Sequence, residues 1–343
     1  MASTNDYDHA ASNIRQPGKA RADGVLDTRE LIRHAVLAAS SHNTQPWKFR
    51  VQKDSITILP DFTRRCPAVD PDDSHLFKSL GCAAENIVHA AAAQGFSADV
   101  RFDPDQNSVV VSMSADASAQ ATELYWAITQ RQCVKAAFNG KSLEAAQIEL
   151  LETAGEGRNV RTIILLSQAQ KETVIDYVTR GNIDQLTDPV FRKELVSWIR
   201  FNPAAAIRAG DGLSGRTSGK PALPTWLAKW MIGLVLTPKG QAETDATNIR
   251  SSAGVAVFVS RENDKAAWVE AGRTYQRFAL QATALEVRTA FINQPIEVRQ
   301  LRPKLESWLN LSGEHALLMV RFGLGPMAPF SLRRPLDDVI LTG

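Results

Sequence analysis

Three observations predict a layered fold of the α+β or α/β type. Helix-like and strand-like segments alternate along the chain. The alternation runs to about residue 130 and restarts near Ser142. The 343 residues, 44% of them apolar, suffice for two domains or one large one with a sizeable core.

The elements follow in order. Asp27 and Glu30 make a capping box before a helix to about Ala39, with Leu31, Ile32, Ala35, Val36 and Ala38 on its buried face. "KFRVQ" and "SITILP", joined at Lys53-Asp54, read as a β-hairpin. Residues 72–95 form an alanine-rich helix stopped by Gly95. Two short strands follow, "SADVRF" and "SVVVSM", then a helix over about 117–130. In the second run Ser142 caps a helix that Gly155 stops, and "VRTIILL" is a buried strand. A helix covers about 168–186, "GVAVFVS" is a central strand, a long helix runs from Trp268 to about Glu286, and "ALLMVRFGLG" is buried strand. Residues 201–225 are rich in Gly, Pro and Ser and lack a period, which reads as a long loop of the lid or binding type.

The first 25 residues have no apolar h-region, so they read as a polar, poorly ordered leader and not a signal peptide. A net charge of +2 gives no field that calls for nucleic acid or an acidic membrane. Cys66, Cys82 and Cys133 form neither a disulfide framework nor a zinc pattern, which fits a reducing, cytoplasmic setting. The stretch "WLAKWMIGLVL" (226–236) is too short to span a bilayer and Lys229 interrupts it. Trp226, Trp230 and Leu234, with Leu227, Met231 and Val235 beside them, mark it as a helix docked on its own protein.

Several motifs fail. "GLGPMA" (323–328) follows a strand, but Pro326 and Pro329 forbid the helix a dinucleotide fingerprint must open. "GRTSGKP" (215–221) is one residue short of a phosphate loop, and Pro221 stands where Ser or Thr should hold magnesium. No H-E-x-x-H or G-x-S-x-G occurs, and no metal site is expected. His9, His75, His89 and His315 read as structural or surface residues.

Three stretches remain. "SSHNTQPW" (40–47) concentrates hydrogen-bonding groups at one turn. "RQCVK" places Arg131, Cys133 and Lys135 at i, i+2 and i+4. "SLRRP" carries Arg333 and Arg334. Guanidinium forks match phosphate geometry, and each charge-assisted bond is worth about 1.5–3 kcal/mol net. Cations drawn from distant parts of the chain would anchor a phosphorylated cofactor.

These stretches resemble a known family. "SSHNTQPWKF" is similar to the S-x-x-N-x-Q-P-W segment of FMN-dependent nitroreductases, and "RQCVKAAF" to that family's R-x-S-x-[RK]-x-F start. "GLGPMAPFSLRRPLDDVI" resembles its C-terminal phosphate-binding end. With "AFINQPIE" and "RFGLG", the chain reads like the Acg-type branch, in which two nitroreductase-like halves are fused; the resemblance spans about residues 26–340. It implies an α+β fold with two helix-flanked mixed sheets, over residues 26–120 and 121–343, that imitates an intramolecular dimer. Further self-association is left open.

In that family the basic segments come from one subunit and the polar turn from the other. Here the first half carries the turn and the second carries the basic start and end, while residues 151–160 read "LETAGEGRNV" instead of a second turn. One composite FMN site is implied. Arg131, Cys133, Lys135, Arg333 and Arg334 would hold the phosphate. Ser40, Ser41, Asn43 and Gln45 would serve the ribityl chain and ring edge. Phe291, Ile292, Asn293 and Gln294 would lie near the reactive edge. Trp47 is read as packing the turn; His42 is read as a turn residue, with flavin contact as the alternative. Cys133 departs from the family's hydroxyl, and a thiol is a weaker donor. The segment at about 200–240 is read as a lid insertion.

The implied activity is an FMN oxidoreductase that takes hydride at flavin N5 from NADH or NADPH and passes it to a nitroaromatic, quinone or similar acceptor, with no protein acid–base residue required. The competing reading is a lid-closed protein that sequesters FMN with little turnover. No residue points to a flavin-fragmenting activity.

Overall fold

The computed structural model describes residues 3–16, 25–219 and 222–341. Part of the expected leader, Lys220 and Pro221, and the side chains of Lys229, Ile232, Leu234 and Val235 lie outside the described residues.

Helix α1 (Thr4–Asn13) occupies a stretch read as poorly ordered leader. Ser3 and Asp6 form a reciprocal capping box, which satisfies two otherwise free groups at its start. Tyr7 and Ala11, one turn apart, bury against Ala206 and Leu332. That remote packing outweighs the polar composition.

Helix α2 (Thr28–Ala35) starts at Asp27, whose carboxylate accepts from the Glu30 N–H. Its last turn ends before the expected Ala39. Strands β1 (Trp47–Gln52) and β2 (Ser55–Pro60) form the expected hairpin. Helix α3 (Ser74–Ala92) leads to β3 (Phe96–Asp103) and β4 (Ser108–Ala115). Helix α4 (Glu123–Ala127) is much shorter than the expected 117–130. Helix α5 (Ala145–Ala154) is capped by Glu144 with Gln147, not by Ser142, and Gly155 ends it. Strand β5 (Val160–Leu165) precedes α6 (Gln168–Thr187) and α7 (Pro189–Trp198).

The segment expected to be a long loop is locally ordered. Strands β6 (Ile199–Arg200) and β7 (Leu213–Ser214) pair in parallel. Helix α8 (Pro203–Ala209) between them is capped by Asn202 and closed by left-handed Gly210. Helix α9 (Thr225–Val235) follows, but Trp226 and Trp230 are 74% and 72% exposed. The apolar stripe therefore is not docked at those positions. Then come α10 (Pro238–Arg250), β8 (Gly254–Ser260), α11 (Lys265–Ala284), β9 (Val287–Phe291), α12 (Gln294–Glu297), α13 (Arg302–Trp308), β10 (His315–Leu324), α14 (Leu336–Val339) and β11 (Ile340–Leu341).

Besides the β6–β7 pair two larger sheets form, and the fold is α+β. The first has the order β11-β1-β2-β4-β3, antiparallel except where β11 joins β1 in parallel. The second, β5-β8-β10-β9, is antiparallel throughout. Helix α3 lies on the first sheet and α11 on the second, and the two helices pack on each other. Gly81 and Gly272 permit this: a Cβ at either would overlap a backbone carbonyl of the facing helix, at Val269 and Lys78. One core cluster consequently holds Phe49, Ile58 and Val111 of the first sheet with Phe258, Leu318 and Phe322 of the second. Among the described residues no helix is long and apolar enough to cross a membrane.

Candidate flavin-sized cavity

A cavity of about 470 Å³ lies between residues of both sheets' layers. That is within the range of small-molecule sites. Its first wall is the polar turn. His42, Asn43 and Gln45 all have positive φ (49°, 55° and 54°), although none is glycine. Such conformations cost about 1–3 kcal/mol each and persist only where surrounding contacts enforce them.

Those contacts come from two remote segments. The Asn43 amide donates to the carbonyls of Gly212 and Leu332, and the Gly212 N–H donates back to Asn43. The Gln45 amide donates to the Gly210 carbonyl at 2.9 Å and accepts from the Arg334 N–H at 2.9 Å. Ser40 Oγ accepts from the Gln45 N–H. Much of the hydrogen-bonding capacity of the turn is thus spent on holding the turn. Trp47 is wholly buried and packs it from below.

Ser40, Ser41, His42 and Asn43 line the cavity, as do Arg131, Cys133, Lys135, Phe291, Ile292, Asn293, Gln294 and Arg333. Gln45 and Arg334 do not; this corrects their expected place on the wall. Gln45 is fully buried behind it, and the Arg334 guanidinium faces the Gln45 carbonyl and Asp61. Both shape the turn from outside.

One end of the cavity is a cluster of cations. Arg131 is only 3% exposed, and its Nη2 donates to the Leu37 carbonyl. Arg15, also buried, donates to the Thr129 carbonyl and lies 4.0 Å over the Phe330 ring. Half-buried Arg333 donates to the Val36, Leu37 and Ala38 carbonyls, at the electronegative C-terminal end of α2. Among the described residues none of the three has a carboxylate partner, and Nε of Arg15 and of Arg131 has no acceptor. Burial and mutual repulsion push Arg15 well below the ordinary arginine value, and Arg333 down to about 9. An anion at this end would relieve both effects. Arg15 was invisible in the sequence because it sits in the supposed leader.

Cys133 continues the wall through a bridge to Thr289 beside β9. Lys135 lies farther along, near His42 and Asp245. Burial pushes the His42 imidazole down to about 4, so it is neutral, and its enclosed Nε2 has no partner.

Phe291, whose ring lies 4.6 Å from Tyr275, is also on the cavity wall. Asn293 accepts the Met319 N–H, which fixes the turn between β9 and α12. The Gln294 amide donates to Asn182 and Asp245, while its Oε1 is buried and unpaired. His75, Lys78, Gln185 and Glu297 line the cavity as well. His75 was expected to be structural or on the surface; it is buried on the cavity wall. Its signal was weak: a histidine and a lysine three residues apart in a helix otherwise buried along most of its length.

No family model matches the chain. Two Mycobacterium tuberculosis proteins, from strains CDC 1551 / Oshkosh and H37Rv, both provisionally named NAD(P)H nitroreductases, are 25% identical over 326 residues, covering 91% of this chain and 90% of theirs. An FMN-dependent nitroreductase of Mycobacterium smegmatis, solved with NADPH, aligns with a TM-score of 0.43 and 12% identity over 64% of this chain and 98% of its own. A Vibrio harveyi NADPH:FMN oxidoreductase, solved with NAD+, aligns with a TM-score of 0.40 and 10% identity over 64% and 77%.

Proposed function

We propose that this chain, a protein of the nitroreductase superfamily, binds one FMN in the cavity and acts as an NAD(P)H-dependent oxidoreductase. The observation that carries the reading is the three-arginine cluster without a carboxylate partner among the described residues, on the wall of one cavity beside the polar turn, where Arg333 donates to Asn43 Oδ1 at 3.0 Å. It suits a phosphate. The unpaired Nε atoms of Arg15 and Arg131, the enclosed Nε2 of His42 and the free Oε1 of Gln294 suit a ligand with acceptors at one end and mixed polar edges along its length.

In this reading Arg15, Arg131, Cys133 and Arg333 hold the phosphate. Ser40, Ser41 and Asn43 serve the ribityl chain, and Phe291 to Gln294 border the ring. Bound FMN would supply hydride transfer, and a nitroaromatic or quinone would be the acceptor. The halves 26–120 and 121–343 each supply part of the one site. The segment at about 200–240 acts as a lid, because Gly212–Ser214 and Leu236 line the cavity. Arg64 and Arg200 both clasp Asp211 and flank Trp198, which ties the lid to the turn.

That clasp favours a second reading, in which FMN is sequestered and turns over poorly. Anaerobic mixing with NADPH separates the two. Bleaching of the flavin within seconds supports the oxidoreductase. A flavin that only dithionite reduces supports sequestration. A freshly purified protein with no flavin absorbance, and none after incubation with FMN, sinks both.

A further inference from the structure

The cavity wall also carries an acid–base cluster, Glu297, His75 and Lys78, that the flavin reading leaves unused. We propose that Glu297 donates the proton when the acceptor is reduced, and that His75 and Lys78 keep it loaded. This rests on the flavin reading above.

Placement is the first support. Glu297 closes the single turn of α12, and its N–H donates to the Asn293 carbonyl at 2.9 Å. It therefore stands one turn beyond the segment assigned to the ring's reactive edge, on the same cavity wall. Gln185 Nε2 donates to one carboxyl oxygen of Glu297 at 2.6 Å. The other oxygen faces His75 Nε2 at 3.5 Å. No guanidinium or ammonium is bonded to this carboxyl among the described residues. Lys78 Nζ instead donates to Ser74 Oγ at 3.2 Å. Asp70, the neighbouring carboxylate, is occupied: it accepts the N–H groups of His75 and Leu76 and the Ser74 hydroxyl.

Electrostatics agree with the placement. Burial pushes Glu297 up to about 7; Asp70 adds to this, while Gln185, Lys78 and Arg302 oppose it. Cys66, whose thiol burial pushes up to about 12, is the remaining titratable neighbour. Burial also lowers Lys78 to about 7 and His75 to about 3, leaving a neutral imidazole able to accept or pass a proton. A carboxyl protonated near neutrality is the state a proton donor needs.

The step balances. A quinone takes two electrons and one proton as hydride from the reduced flavin. The developing oxyanion takes the second proton from the Glu297 O–H, giving hydroquinone and a carboxylate. Water restores that proton through His75.

Glu297→Gln keeps an acceptor for Gln185 and removes the proton. The flavin-loaded protein is reduced with dithionite, then mixed with benzoquinone or with ferricyanide, which takes single electrons and needs no proton. For the variant, reoxidation by benzoquinone should slow at least about tenfold. For the wild type it should fall as pH rises through about 7, and that dependence should vanish in the variant. Ferricyanide rates should be unchanged. Equal benzoquinone rates in the two proteins overturn the proposal. In flavin-free protein, an infrared carboxylic-acid band that titrates near neutral pH should be present, absent from Glu297→Gln and retained in Glu297→Asp; its absence from the wild type also overturns the proposal. A chain that binds no flavin, seen in the absorption spectrum beforehand, overturns the functional reading as well, whereas normal flavin loading with unaffected benzoquinone rates overturns this one alone.

Discussion

Two enclosed arginine clusters sit in this molecule, and they differ in one respect. Arg273 and Arg277 of α11 converge on Glu85 of α3, each at 3.1 Å, with His89 at 3.4 Å. Arg15, Arg131 and Arg333 converge on a cavity and meet only neutral acceptors among the described residues. In the first cluster the charges are balanced within the protein, and the cluster joins the two central helices. In the second no carboxylate balances them among the described residues. An uncompensated buried charge is expensive, which is why we read this cluster as a site for an anion.

Removing the carboxylate from the balanced cluster should have the largest effect. Glu85 is 1% exposed. Glu85→Gln leaves Arg277 facing no anion and Arg273 with Glu270 alone, and should cost about 3–5 kcal/mol of stability, read by denaturant unfolding. Acid tests the same cluster. Burial alone would raise the Glu85 carboxyl, but His89, Arg277 and Arg273 outweigh it and hold it at about 2, below its unfolded value. Its contribution to stability is therefore fully present above the unfolded carboxylate range and is lost as pH falls toward 2. The unfolding free energy of Glu85→Gln should depend less on pH across that window.

The open cluster should respond in the opposite way. Arg131→Ala should weaken FMN binding by about 10–100-fold, from one lost charge-assisted contact. The flavin-free protein should not lose stability in proportion, because the change also relieves repulsion with Arg15 and Arg333. A large loss of flavin-free stability would mean that the two clusters are alike. The smallest effect is expected at Cys133. If the thiol lies against the phosphate, Cys133→Ser should tighten FMN binding a few-fold by supplying a stronger donor. Unchanged affinity would remove Cys133 from the phosphate site.

The sequence revealed the open cluster only in part. Arg131 and Arg333 stood in recognisable strings, but Arg15 lay in a polar stretch whose one structural clue is the Tyr7–Ala11 spacing. Gln45 and Arg334 looked like ligand contacts because their polarity was visible; that their bonds go to Gly210, the turn and each other depends on tertiary placement. His75 and Lys78 gave only the weak signal of their spacing on α3, and Glu297 gave none, since it joins them only in the folded cavity. The β1–β2 hairpin and the long α3 and α6 helices were legible because period and turn chemistry are local. Helices α7 and α10 were missed, and Trp226 and Trp230 were assigned to a docked face but are exposed. Amphipathic spacing announces an apolar face, not what covers it.

The claim most open to direct test is that the three-arginine end of the cavity holds a phosphate. Titration of flavin-free protein with FMN and with riboflavin, which differ by that phosphate alone, measures it. FMN should bind at least about 100-fold more tightly, the equivalent of roughly 3 kcal/mol. Equal affinities would show that these arginines serve the fold and not a ligand.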